Sequence, residues 1–320
     1  MRLSHRPARP DDFSHCFDLM CEAHAYEPAL RRQIPKIWTD WLAEGVFTAD
    51  VIEDHVPGKG TRPVGLGASV CVSDAFAAEL VEKRGQPFAR AELTRRHLAG
   101  EKIVLNREEM RAANRDGGLN LFFINDAVSH LELTDEQRLE SDAEWGEALS
   151  ELRGCHIKSM FLEIYGVKKR TWCLRCGLLP FNDYEAHWEK NARSLPPEDR
   201  QPFLMGLRRE DALRTPGTHA SFLFMHVPPQ FGFSTRQQEL LRNALDGSTD
   251  DDLSEQLNVS ASGIKKRWIS IYDQVSSTMP GWLERGAENA AARGSEKRRH
   301  LLNYLRQRPE ELHPACASRE

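Results

Sequence analysis

Lys265, Lys266 and Arg267 stand in a row just behind Ser260 and Ser262, in a stretch with helical spacing. Ile264, Trp268 and Ile271 fall on one face of that helix, while Ser262, Lys265, Lys266 and Ile269 fall on the other. Cations near the start of a helix work against its dipole, so they are placed for an external anion such as phosphate, or for the edge of a base. The competing explanation is a helical oligomerisation module with a basic, solvated face.

Other residues have chemical potential but less supporting context. Cys173-x-x-Cys176, with Cys155-His156 upstream and His187 downstream, has the residue types of a zinc or redox site but an incomplete spacing. Small buried cysteines packing that helix are the commoner explanation of such a pair. His130 has Asp126 and Glu132 nearby but no nucleophile beside it, so these read as surface polar residues. Trp38, Trp41, Phe122, Phe123, Phe161 and Tyr165 are either pocket lining or core. No catalytic residue, cofactor or metal is expected from these patterns.

The elements that must position the basic helix are legible. Ser234 caps a helix whose apolar face holds Leu240, Leu241 and Ala244, and Gly247 ends it. Thr249 and the carboxylates of Asp250, Asp251 and Asp252 open a second helix carrying Leu253 and Leu257. Asn258 tolerates a left-handed turn, and Ser260 caps the third helix. The order is that of a helix-turn-helix with a lead-in helix.

Residues 233–272 resemble, without a gap, the C-terminal DNA-binding domain of LuxR-type transcriptional regulators. The matched positions are Ser234, Arg236, Glu239, Gly247, Leu253, Leu257, Ser260, Ile264 and Lys265. Gly263 departs from the Thr usual there, and Ile269 from a position that is often polar. The resemblance implies double-stranded DNA as partner and a homodimer. Ser262, Lys265, Lys266 and Ile269 would face bases, and Arg267, Ser260 and Arg236 would contact phosphate.

The N-terminal part alternates strand-like and helix-like segments. Strands are predicted near Leu3–Arg6, Val46–Asp54, Pro63–Val72, Leu119–Asn125 and Ser159–Ile164, with a last one after Gly177. Helices are predicted at Pro10–Ala23, Thr134–Leu152 and Val167–Cys176. This order resembles the GNAT-type acyltransferase fold over about the first 185 residues. The stretches RPARPDDF and FLEIYGVKKRTWCLRCGLLPFNDY carry most of the likeness.

Active GNAT members hold the cofactor pyrophosphate in a glycine-rich loop after the fourth strand. Here that place reads NDAVSHLELTDEQRLE, acidic and without Gly-x-Gly, so acetyl-CoA binding in the usual manner is not expected. Gly58-Lys59-Gly60 and Gly65-Leu66-Gly67 read as turns or bulges.

The chain has 320 residues, a formal charge of −5 and seven cysteines, too scattered for a disulfide framework. Its length suits about two domains. No apolar run reaches the ~20 residues of a membrane span and no secretory signal is visible, so no membrane partner and a cytoplasmic location are expected.

The expected fold class is an α+β N-terminal domain, a GNAT-like mixed sheet flanked by helices, followed by an all-α helix-turn-helix domain. Residues 1–190 form a sensor or interaction domain, 191–230 a connector with one strand over His219–Val227, and 231–320 the helix-turn-helix with extra C-terminal helices at 282–292 and from Ser295. The expected function is a DNA-binding transcriptional regulator, not an enzyme, controlled by an unknown small-molecule ligand or protein partner. The alternative is a divergent GNAT-type acyltransferase whose C-terminal helices serve oligomerisation.

Overall fold

The computed structural model describes residues 2–19, 26–56, 60–82, 86–125, 134–190, 196–284 and 293–312. The chain divides into two units, one of residues 1–149 and 156–225, the other of residues 150–155 and 226–320.

The first unit is built on a seven-stranded mixed sheet in the order β1-β2-β3-β4-β5-β7-β6. Its strands are β1 (Arg2–Pro7), β2 (Phe47–Val56), β3 (Gly60–Val72), β4 (Leu119–Asn125), β5 (Ile157–Tyr165), β6 (Leu179–Asn182) and β7 (Pro202–Arg208). Only β4 and β5 run parallel; the other neighbours are antiparallel. Its helices are α1 (Phe13–Asp18), α2 (Pro28–Arg31), α3 (Ile34–Glu44), α4 (Asp74–Val81), α5 (Ala89–Leu98), α6 (Arg107–Asp116), α7 (Asp135–Leu149), α8 (Val167–Arg175), α9 (Glu185–Lys190) and α10 (Arg209–Arg214).

Local sequence explains these elements well. α3 buries Ile34, Ile37, Trp38 and Trp41, spaced along one face, and Gly45 stops it with a positive φ of 66°. Asn106 and Glu109 form a reciprocal capping box on α6, and the Ser73 hydroxyl accepts from the Phe76 amide at the start of α4. The edge strand β1 is protected by α7: the Leu3 and His5 amides, two residues apart, donate to Glu140 Oε1 at 3.2 Å and Glu144 Oε2 at 2.9 Å, four apart.

Two differences from the sequence reading concern the connector. The strand predicted over His219–Val227 is instead a 3-10 turn, Ala220–Phe224, with Ala220, Ser221 and Phe224 buried and Phe222 and Met225 exposed. The strand of this region is β7, which lies between β5 and β6 and buries every residue from Pro202 to Leu207. A central strand covered on both faces shows no alternation, which hides it in sequence. Pro202 fits because it is the strand's first residue.

The predicted helix at Pro10–Ala23 is a 3-10 turn, Pro10–Asp12, running into α1, and residues 20–25 lie outside the described residues. Residues 281–284 are a turn rather than the start of a helix, and 285–292 lie outside the described residues.

The second unit contains α11 (Thr235–Leu245), α12 (Asp250–Gln256), α13 (Ala261–Thr278) and α14 (Arg293–Arg306). Ser234, Thr249 and Ser260 each accept a backbone hydrogen bond as N-caps, and Asn258 adopts φ 49° between α12 and α13. Leu240, Leu241, Leu253, Ile264, Trp268 and Ile271 form its core together with Leu301 and Leu305 of α14. Among the described residues no helix is long and apolar enough to cross a membrane.

Candidate functional site

β4 and β5 pair from Leu119↔Ile157 to Phe123↔Leu162, and there the pairing stops although both strands continue. β5 stays with β7 through Glu163↔Leu204, Ile164↔Phe203 and Tyr165↔Pro202. β4 stays with β3, but Ala68 pairs with Asn125 and Ser69 with Phe123, which leaves Ile124 as a bulge. A bulge bends its strand and ends regular pairing, so the sheet opens between the C-terminal ends of its one parallel pair. In open α/β sheets ligands bind beyond the carboxyl ends of the strands.

Glu163 is the first β5 residue past the last β4 partner, and it is fully buried. Its Oε1 accepts from the Phe88 amide at 2.8 Å and the Tyr184 hydroxyl at 2.8 Å; its Oε2 accepts from the Tyr165 hydroxyl at 2.8 Å. The Arg90 guanidinium donates to the Glu163 carbonyl. Thus α5 sends its first turn to the point where β4 leaves β5, and Arg90 satisfies a backbone acceptor there.

Phe88 is held at φ 69°, in the left-handed region that is uncommon for a bulky residue, and its ring stacks on Tyr165 at 6.3 Å. The Arg90 guanidinium lies 5.9 Å from the centre of the same tyrosine ring. Tyr184 also has positive φ, 59°, and its amide donates to Asn182 Oδ1 at 2.8 Å.

Burial pushes the Glu163 carboxyl above its usual range, opposed by the Arg90 charge and the phenolic donors. Burial, then the Glu163 charge, push the Tyr184 phenol well up. A carboxylate joined to two phenols in a dry setting can accept a proton passed through a phenol. Tyr165, at the end of β5, is the less enclosed of the two, with 9% exposure against 1% for Tyr184.

Sequence reasoning had Tyr165 only among pocket-or-core aromatics and did not find Glu163, Arg90, Phe88 or Tyr184. Trp38, Trp41, Phe122 and Phe161 are core residues. Cys173 is buried, the His187 ring packs edge-on against Trp188, and among the described residues no group of three or more His, Cys, Asp or Glu is arranged to hold a metal. Burial raises the Cys16 and Cys71 thiols to about 12, which suppresses thiolate chemistry. His130, Asp126, Glu132, Gly58 and Lys59 lie outside the described residues.

The residues expected to face DNA are only partly brought together. Ser262, Lys265, Lys266 and Ile269 are exposed on one face of α13, with Ile269 at 50%. The Ser260 hydroxyl is engaged, accepting from the Gly263 amide at 3.3 Å and lying 3.1 Å from the Ser262 hydroxyl. Arg267 is half-buried with its Nη1 enclosed, unlike an exposed phosphate ligand. Arg236 is exposed on α11, a different helix. At Gly263 a Cβ would meet the Val259 side chain at 2.5 Å, which accounts for glycine in place of a larger residue.

No family model matches the chain, and no curated protein matches it. Solved structures do. One is the NatC complex bound to Gag peptide and CoA, at 11% identity and TM-score 0.36, covering 65% of this chain and 99% of that one. A second is that of mutant forms of the spermidine/spermine N-acetyltransferase SpeG from Vibrio cholerae, at 10% identity and TM-score 0.34, covering 67% and 99%. A third is FeeM, an N-acyl amino acid synthase from uncultured soil microbes, at 12% identity and TM-score 0.36, covering 65% and 90%.

Two expectations, a non-enzyme and a DNA-binding transcription regulator of the LuxR type, gain no support from these structures, which are those of an N-acetyltransferase, an N-acyl amino acid synthase and a complex bound to CoA. The physical reason is that caps and apolar periodicity encode three successive helices, whereas they do not encode what an exposed cationic face touches. The mixed sheet flanked by helices is the arrangement expected of the first part of the chain.

Proposed function

We propose that the sheet unit transfers an acyl group at the opening between β4 and β5, as a divergent GNAT-type acyltransferase. The observation that carries this reading is the end of pairing at Phe123↔Leu162 beside the Ile124 bulge, with Glu163 and Tyr165 immediately beyond it. Strand groups left without a strand partner can pair with an extended, amide-bearing ligand. The likeness to the GNAT fold seen in the N-terminal sequence supports the same reading by analogy of fold.

The residues present do not offer the usual seat for a cofactor diphosphate. After Asn125 the sequence has no Gly-x-Gly and carries Asp126, Glu132, Asp135 and Glu136. The acyl carrier is therefore not specified. In the transfer, a nucleophilic amine adds to the acyl carbon as the bond from that carbon to its carrier breaks. The amine proton passes to the Tyr165 hydroxyl oxygen as that phenol passes its own proton to Glu163 Oε2. The carrier leaves with its bonding electron pair and is protonated from solvent. Tyr165 would be the catalytic residue and Glu163 the group that positions it.

The test is turnover of short- and long-chain acyl thioesters by the full chain with a panel of amines, read as amide product by mass spectrometry. Amide formation that falls at least about 10²-fold in Tyr165→Phe is expected. Absence of product and of thioester binding across the panel would overturn the proposal. As part of the same reading, the helical unit serves assembly, and light scattering of the full chain should give a mass of two copies or more.

A further inference from the structure

The helix whose first turn meets Glu163 is held at its other end by a different kind of contact. The Trp41 indole N–H, on α3, donates to His97 Nε2, on α5, at 3.1 Å, and the two rings meet edge to face at 4.9 Å. Trp41 is a core residue, 1% exposed, whereas His97 is half-buried near the end of α5 and within reach of solvent protons.

An indole is only a donor. His97 must therefore present the lone pair of Nε2, so its neutral form carries its proton on Nδ1. A proton added to Nε2 sets one N–H against another and removes the bond. This follows from the geometry alone, and burial acts in the same direction by lowering the His97 pKa.

We propose that Trp41 and His97 form an acid-opened latch that releases the C-terminal half of α5 from α3. Glu44, on α3, is the charged group that favours the imidazolium. On α5 itself Arg95 is paired with Glu92, and Arg96 with Glu79 of α4 and with Glu101. The latch works on α5 because that helix is fixed independently at its start, where the Phe88 amide and Arg90 meet Glu163. Acidification therefore frees one end while the other stays docked, and the Arg96 pairs limit the movement.

The sign is fixed by the lowered pKa. Above the ordinary histidine value near 6.5 the latch is closed and His97 has no effect on the pH dependence of stability. As pH falls from there through the lower folded value, the folded state weakens relative to a chain with a free histidine.

Hydrogen exchange of the full chain, with peptides covering Glu92–Leu98, tests the latch. After correction for intrinsic rates, protection there should fall by about tenfold between about pH 7.5 and about pH 5.5 in the wild type. In His97→Gln, whose side-chain carbonyl accepts from the indole but does not titrate, protection should stay level. Unchanged protection in the wild type, or a parallel fall in His97→Gln, would overturn the proposal. As a second measurement, the His97 ring carbons should titrate by NMR with a midpoint below about 6.5 in the wild type; a midpoint at or above that value overturns the proposal too. Neither readout depends on enzymatic turnover.

Discussion

The Tyr184 hydroxyl donates to Glu163 Oε1 at 2.8 Å inside the first unit, joining the segment after β6 to the strand at which the sheet opens. The same carboxylate also receives the Tyr165 hydroxyl and the Phe88 amide. One buried acid thus gathers three parts of the chain, and its removal takes away the carboxylate that accepts from three donors.

Glu163→Gln keeps the shape but replaces one acceptor oxygen with a donor, and a cost of roughly 1–3 kcal/mol is expected. Glu163→Ala, which removes that acceptor altogether and takes away the negative charge beside Arg90, should cost about 3–5 kcal/mol. Urea denaturation followed by fluorescence measures both; equal stability of the three proteins would contradict the role given to this carboxylate.

Arg6 ties β1 to the turn before α1, with hydrogen bonds to Asp12 Oδ2 at 2.8 Å and Oδ1 at 2.9 Å and an ion pair to Glu53 at 2.9 Å. The hydrogen bond from Arg6 holds the Asp12 carboxyl below its ordinary range. Its stabilising effect is therefore fully present above the unfolded value near 3.9 and is lost as pH falls through the lower folded value. Asp12→Asn should cost about 1–2 kcal/mol near neutral pH, discounted for partial exposure. The difference from wild type should shrink below about pH 4 in thermal denaturation.

Gly206 lies on β7 opposite Phe161 of β5 and Leu179 of β6. A Cβ there would collide with the Met160 carbonyl oxygen and would meet the Phe181 ring at 2.5 Å. Because backbone stands in the way, Gly206→Ala should destabilise the sheet unit by about 1–3 kcal/mol or more. Stability equal to wild type in chemical denaturation would mean that β7 sits less tightly between its neighbours.

In the helical unit the Arg298 guanidinium lies 4.5 Å from the centre of the Trp268 ring and pairs with Asp250 at 2.6 Å, while the Trp268 indole donates to the same carboxylate at 3.3 Å. This ties α14 to α12 and α13. Arg298→Ala should weaken that unit by about 1–2 kcal/mol, with the stacking as the larger share because Asp250 is largely exposed. Exchange protection of α14 reads the effect, and protection equal to wild type would rule it out.

The sequence by itself determined the short-range features. Ser234, Thr249 and Ser260 as caps, Asn258 as the left-handed turn residue and β4 over Leu119–Asn125 follow from signals a few residues long. Each works through a side chain acting on nearby backbone, so its cause lies in adjacent residues. Tertiary structure decided the rest. The opening between β4 and β5 depends on which strands each keeps as neighbour, and β7 enters the sheet between β5 and β6 after the chain has passed through β6.

Glu163, Tyr184, Phe88 and Arg90 become one cluster only when that pairing is made, because burial and partner donors come from residues up to 75 positions away. Likewise, periodicity set Lys265 and Lys266 on the exposed face of α13, but packing turned the Arg267 guanidinium partly inward. Spacing along one helix fixes a direction in the helix frame; the neighbouring elements decide what that direction meets.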